Sequence, residues 1–169
     1  MPIVIKGNAE EAVFEPITAT VSAKLRQPGL LEWAIDIDFE RGAFRNTRFE
    51  PRLALLECMR APTTPLLPLH FALDDGGTLY VGEHELIESG AMDVVSAHTS
   101  DPNEVVFSGT GQFESNFDGS IERYGFVVEC TGAFLGISLP AADVDTSWIP
   151  GHASMEVAVH HGVPMLRFR

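Results

Sequence analysis

Hydrophobic and polar residues alternate with a period of two along most of the chain, which is the spacing of strands rather than helices. Residues 17–25 set Ile17, Ala19, Val21, Ala23 and Leu25 on one side and Thr18, Thr20, Ser22 and Lys24 on the other. Pro28-Gly29 suits a type II turn, because proline presets φ at the first central position and glycine accepts positive φ at the second. The alternation then resumes, with Leu31, Trp33, Ile35, Ile37 and Phe39 opposed to Glu32, Asp36, Asp38 and Glu40. This pattern predicts a half-buried antiparallel hairpin.

Three further two-residue turns predict three further hairpins. A turn at Asp75-Gly76 pairs Leu73 with Thr78, Phe71 with Tyr80, Leu69 with Gly82 and Leu67 with His84. That register sends Leu67, Leu69, Phe71, Leu73, Tyr80, His84 and Leu86 inward and His70, Val81 and Glu83 outward. A turn at Asp118-Gly119 sets Phe113 against Tyr124, Gly111 against Phe126, Gly109 against Val128 and Phe107 against Cys130. Its inner face is almost wholly apolar, and a slip of one residue would undo the sorting. A turn at His161-Gly162 sets Val159 against Pro164, Val157 against Leu166 and Met155 against Phe168, with Glu156 beside Arg167 as an outer ion pair.

Phe134–Leu139 is apolar on both faces and suits a central strand. Helix signals are confined to Asn8–Phe14, where Asn8 is placed to cap one short turn. Ala61–Pro65, Ser96–Asn103 and residues 140–153 read as loops. With no fixed-period repeat and no linker, residues 1–169 form a single β domain. The predicted fold is all-β: an antiparallel β-barrel or a curved two-sheet β-sandwich of about ten short strands with little helix.

Composition adds constraints. The net charge of −13 disfavours nucleic acid and anionic membranes, both of which require clustered Lys and Arg. The chain start lacks a basic flank and a long apolar run, so a cytoplasmic location with reduced Cys58 and Cys130 is the expectation. Eleven Phe against two Tyr and two Trp point to rings used as core filler.

The third hairpin carries the most suggestive chemistry. Glycine weakens a strand, so Gly109 and Gly111 on one inward face need a reason. Three are open: curvature at a barrel corner, room for Phe126 and Val128, or space for a ligand. The ligand reading makes Phe107, Gly109, Gly111, Phe113, Tyr124 and Phe126 a binding surface. The run Ser108-Gly-Thr-Gly-Gln-Phe113, followed by Gly119, is similar over some twenty residues to the glycine-and-phenylalanine strand of the allene oxide cyclase and dirigent-like barrels. The likeness implies a lined interior that folds or cyclises small apolar molecules, though the chain has no diagnostic catalytic motif of those families.

Tyr80 and His84 are the catalytic candidates, since an imidazole beside a phenol in an apolar pocket can move a proton near neutral pH. The competing reading is a strand-end histidine bonded to a carbonyl or to water. Gly82-Glu-His-Glu-Leu resembles a cupin strand, but the later histidine of that pattern is missing. No HxH, HExxH or CxxC occurs, and His160-His161 sits at a turn where neighbouring side chains are expected to diverge. The expectation is therefore no metal and no cofactor. Serine-hydrolase elbows, phosphate loops and dinucleotide turns are also missing from the sequence.

Two functional readings remain. One is binding of a small apolar molecule, or shape-driven isomerase or cyclase activity, in an interior barrel pocket. The other is an acidic protein-binding module, an adaptor, inhibitor or immunity-type protein, that presents Asp36, Asp38 and Glu40 on its outer sheet face to a basic partner. The same stripe also suits a solvated face. A homodimer is compatible with either reading.

Overall fold

The computed structural model describes residues 2–7, 10–45, 47–82, 84–97, 99–117 and 119–169, with His84 described as backbone only. The cap at Asn8, the outward Glu83 and the turn residue Asp118 lie outside the described residues. Among the described residues, fourteen strands and one 3-10 turn make up the fold. The first half of the chain holds β1 (Ile3–Lys6), β2 (Glu11–Phe14), β3 (Pro16–Gln27), β4 (Leu30–Phe39), β5 (Gly42–Phe44), β6 (Thr47–Phe49) and β7 (Arg52–Arg60). The second holds β8 (Leu69–Ala72), β9 (Gly77–Tyr80), β10 (His84–Ser96), β11 (Glu104–Ser115), β12 (Glu122–Ser138), β13 (Met155–His160) and β14 (Val163–Phe168).

Seven strands close into a barrel in the order β11-β10-β9-β7-β4-β3-β12, and β12 returns to β11. Six of the seven pairings are antiparallel, and β3 runs parallel to β12. This parity is forced: strands that alternate direction around a ring must be even in number, so a seven-membered ring needs a like-directed pair. β1 and β2 extend from the outer flank of β12, β13 and β14 attach beyond its second half, and β5–β6 form a separate ribbon.

The barrel encloses Trp33, Phe39, Phe71, Phe107, Phe113, Tyr124, Phe126 and Phe134, all essentially fully buried. Two predicted registers, those of β11–β12 and β13–β14, are realised residue for residue, including Gly111 opposite Phe126 and Val157 opposite Leu166, and the predicted β3–β4 hairpin forms with Trp33 opposite Ala23. Glu156 and Arg167 are opposite one another, but they form no ion pair among the described residues.

Several expectations are corrected. Glu11–Phe14 is a strand, not a helical turn: the open edge of β1 offers it a ladder, and its alternation buries Phe14 against Phe49 at 5.3 Å. Ile17 is exposed because a bulge between Pro16 and Thr18 leaves it outside the register. Asp75-Gly76 does not join a hairpin. The Gly77 amide donates to the Leu73 carbonyl at 2.7 Å, and this arch lays β8 and β9 end to end along the same strand, β10. Odd positions therefore stay inward throughout: Leu69, Phe71, Leu73, Leu79 and Val81 are buried, whereas Tyr80 is half-buried and Leu86 exposed.

The Trp33 indole lies 6.4 Å from Phe71 and 6.2 Å from Phe134. Its buried Nε1–H has no hydrogen-bond partner among the described residues. Leaving such a donor unsatisfied costs about 1–3 kcal/mol. Trp33→Ala should lower unfolding free energy by about 3–5 kcal/mol, through the cavity it opens. Trp33→Phe should cost much less, because it removes the unsatisfied donor along with the lost volume. Urea denaturation of the two variants checks the ordering.

Candidate binding site

The six residues predicted to line an interior pocket do share one inward surface. Phe107, Gly109, Gly111, Phe113, Tyr124 and Phe126 are all buried on β11 and β12. The space beside the two glycines is taken by protein. A Cβ placed on Gly111 would lie 2.5 Å from the Phe126 ring, and one on Gly109 would lie 2.8 Å from both the Met92 Cε and the Ala91 carbonyl oxygen. The glycines therefore admit neighbouring side chains, the second of the three reasons above, with Met92 rather than Val128 in the place beside Gly109. Among the described residues, hollows of about 660, 380 and 250 Å³ open at the surface, and none of these is lined by the six residues.

Tyr80 is not part of this surface. It belongs to an outer row of residues paired directly across four strands, Thr18, Asp38, Arg52 and Tyr80, and its backbone pairs with that of His84. Tyr80 and His84 are expected on one strand, facing Phe71 and Leu67; instead they pair across β9 and β10, and Tyr80 meets Arg52, whose guanidinium lies 5.8 Å from its ring centroid, rather than the barrel interior. The side chain of His84 lies outside the described residues.

Arg52 holds the acidic stripe. Its Nε donates to Asp36 Oδ1 at 2.7 Å and its Nη2 to Asp36 Oδ2, while Asp38 lies 3.6 Å away. The hydrogen bond to Asp36 and the charges of both carboxylates hold the guanidinium still more firmly protonated than usual. Two of the three stripe carboxylates are thus already engaged within the sheet.

The most apolar hollow, about 380 Å³, opens at the barrel end where β4 begins and β7 ends. Pro65, Leu66 and Leu67 form one wall, ahead of β8. Pro102, Pro150 and Gly151 form another, and Phe168 contributes its ring from the end of β14. The only other lining residues, Thr64 and Ser96, are hydroxyl-bearing. Among the described residues, no titratable side chain lines it.

The loops around this hollow are pinned by specific bonds. Asn103 is buried, and its side-chain amide takes the Phe168 N–H at 3.2 Å and donates to the Phe168 carbonyl at 3.1 Å. The Asn103 carbonyl accepts from the Phe134 amide at 2.7 Å. One side chain thus fixes the last strand against the β10–β11 loop, and the Phe168 ring packs 5.6 Å from Phe134. In the 139–151 loop, Ser147 donates its amide to Asp145 Oδ1 at 2.9 Å, and hydrogen bonding from the Ser147 side chain, with that amide second, lowers the Asp145 pKa. Trp148 Nε1 donates to the Asp145 carbonyl at 3.0 Å.

Sequence reasoning missed this hollow because Thr64, Pro65, Ser96, Pro102, Pro150 and Gly151 read as loops, while Leu67 and Phe168 fall in separate predicted hairpins. A signal was present: the apolar pair Leu66-Leu67 lies between prolines, outside any strand, where two leucines have no ladder to join. No protein-family model, curated protein or solved structure matches the chain.

Two predictions follow from the packed interior. Gly111→Ala should destabilise the protein by roughly 1–3 kcal/mol through overpacking against Phe126, and adding Phe126→Leu should recover part of that loss. Thermal unfolding of the single and double variants checks this. Burial pushes the Cys130 thiol up from 9.0 to about 11. The folded state thus keeps a proton that the unfolded chain releases earlier, so this stabilisation is complete below pH 9 and is lost as pH rises towards 11. Across that window, wild type should lose stability faster than Cys130→Ala by up to about 1.4 kcal/mol per pH unit.

Proposed function

We propose that the protein binds a small apolar molecule in the hollow at the barrel end bounded by Leu66, Leu67 and Phe168. The observation that carries this reading is a concave site of about 380 Å³ whose walls are almost entirely hydrocarbon. Small-molecule sites typically measure about 300–1,000 Å³ and are lined mainly by apolar side chains with few polar groups. The site is also preorganised: Asn103 holds Phe168 from both of its backbone polar groups, so little ordering is left for the ligand to drive.

The hydroxyls of Thr64 and Ser96 supply the polar contacts that would orient a ligand. Isomerisation or cyclisation driven by shape would use the same hollow, by holding a flexible apolar chain in one bent pose. The alternative, a basic partner docked on the outer stripe, is weakened by the placement of Arg52, which already neutralises Asp36 and lies beside Asp38.

N-phenyl-1-naphthylamine is a suitable probe, because its emission rises and shifts to the blue in an apolar site. Wild type should give a saturable rise. Leu67→Asp should weaken the binding at least tenfold, about 1.4 kcal/mol, whereas Leu86→Asp, at an exposed leucine away from the hollow, should leave it unchanged. Saturating probe should also raise thermal stability, by about 2.7 kcal/mol at one hundred times its Kd. No change in emission, or equal binding by Leu67→Asp and wild type, would overturn the proposal.

A further inference from the structure

The opposite end of the barrel carries different chemistry. There β4 ends at Phe39 and the chain enters the β5–β6 ribbon, which is fixed by aromatic packing. Phe44 lies 5.2 Å from Phe117 and 5.7 Å from Tyr124, and Phe49 lies 5.6 Å from Phe117. Phe14 covers Gly42 so closely that a Cβ there would lie 2.6 Å from its ring. On this rigid ribbon Ala43 pairs with Arg48, and Arg41, Gly42, Ala43 and Arg48 line a hollow of about 250 Å³.

Among the described residues, Arg41 and Arg48 belong with Lys24, Arg60, Arg167 and Arg169 to the cations that make no ion pair, and these two line a common hollow. With 24 acidic residues against 11 Lys and Arg, a cation is expected to find a carboxylate. Lys6 pairs with Glu11, Arg26 with Glu32, Arg45 with Glu10 and Glu122, Arg52 with Asp36 and Asp38, and Arg123 with Glu88 and Glu114. Among the described residues, neither Arg41 nor Arg48 makes an ion pair or a hydrogen bond, yet they share one concavity. An anion bound in this concavity would take charge complementarity from both side chains.

We propose that this hollow is a binding site for the phosphate group of a small soluble molecule. Guanidinium forks match phosphate oxygens in pairs, and two of them balance the charge of about −1.5 to −2 on a phosphomonoester at neutral pH. The volume accommodates a phosphate and a short appendage. The overall charge of −13 repels polyanions and anionic membranes, so the fitting ligand is a small molecule. This site is separate from the apolar hollow and does not depend on it.

The test is a titration of full-length protein with inorganic phosphate, followed by amide chemical shifts and by calorimetry at low ionic strength. Saturable shifts centred on Gly42 and Ala43 are expected. Arg41→Gln and Arg48→Gln should each weaken binding about tenfold, and the double variant should abolish it. Both side chains are exposed, and circular dichroism and the melting temperature of each variant would confirm an intact fold. Affinity should rise between pH 5 and pH 7, as the second phosphate proton leaves near pH 6. Acetate at equal ionic strength serves as the carboxylate arm. Equal binding of acetate, shifts centred elsewhere, or a double variant that titrates like wild type would each overturn the proposal.

Discussion

The fold depends on β12 reaching two partners with opposite strand senses. Its first part pairs antiparallel with β11 from Glu122 to Ala133, and its last part pairs parallel with β3 from Ala133 to Ser138. This strand is the seam that turns a row of hairpins into a ring. Closure removes the open ladder edges that a flat sheet of this size would expose, and it commits every inward side chain to one shared interior. The strand changes course where its register to β3 shifts between Phe134 and Gly136, and Gly136 there adopts φ +110, a conformation that side chains rarely tolerate. Without that residue the second half of β12 would be strained alongside β3.

Much of this architecture was legible locally. The hairpins β3–β4, β11–β12 and β13–β14 follow from a tight turn flanked by period-two alternation, and the registers of the latter two emerged residue by residue. The β8–β9 segment shows the limit of such reasoning. Asp75-Gly76 marks a reversal, but the dipeptide does not specify whether the two arms pair with each other or both with a third strand. Here the Leu73–Gly77 arch and the availability of β10 decided the matter, and Tyr80 moved to the outside as a result. The parallel pairing of β3 with β12 joins residues more than a hundred positions apart and leaves no local trace.

The candidate sites were less legible than the fold, for a physical reason. Alternation reports which way a side chain faces, but not whether the space it faces is full. Gly109 and Gly111 signalled a vacancy in sequence terms, and in three dimensions Met92 and Phe126 occupy it. The apolar hollow, by contrast, is assembled from loops distant in sequence, which Asn103 draws together through hydrogen bonds that no periodicity encodes. Between β7 and β8, where the wall lacks a backbone ladder, Arg60 bridges instead: it donates to the His70 carbonyl at 2.6 Å and covers the Phe71 ring at 4.4 Å.

The filled interior has a consequence for how the molecule presents itself. Trp33, Phe71, Phe107, Phe113 and Phe126 all bury their rings within the barrel. Its two ends differ in kind, one bearing an apolar hollow and the other a hollow lined by two arginines. Any influence of one tip on the other must pass as small displacements through stacked rings in a close-packed solid. The cylinder therefore behaves as a rigid spacer that keeps two unlike chemistries a fixed distance apart.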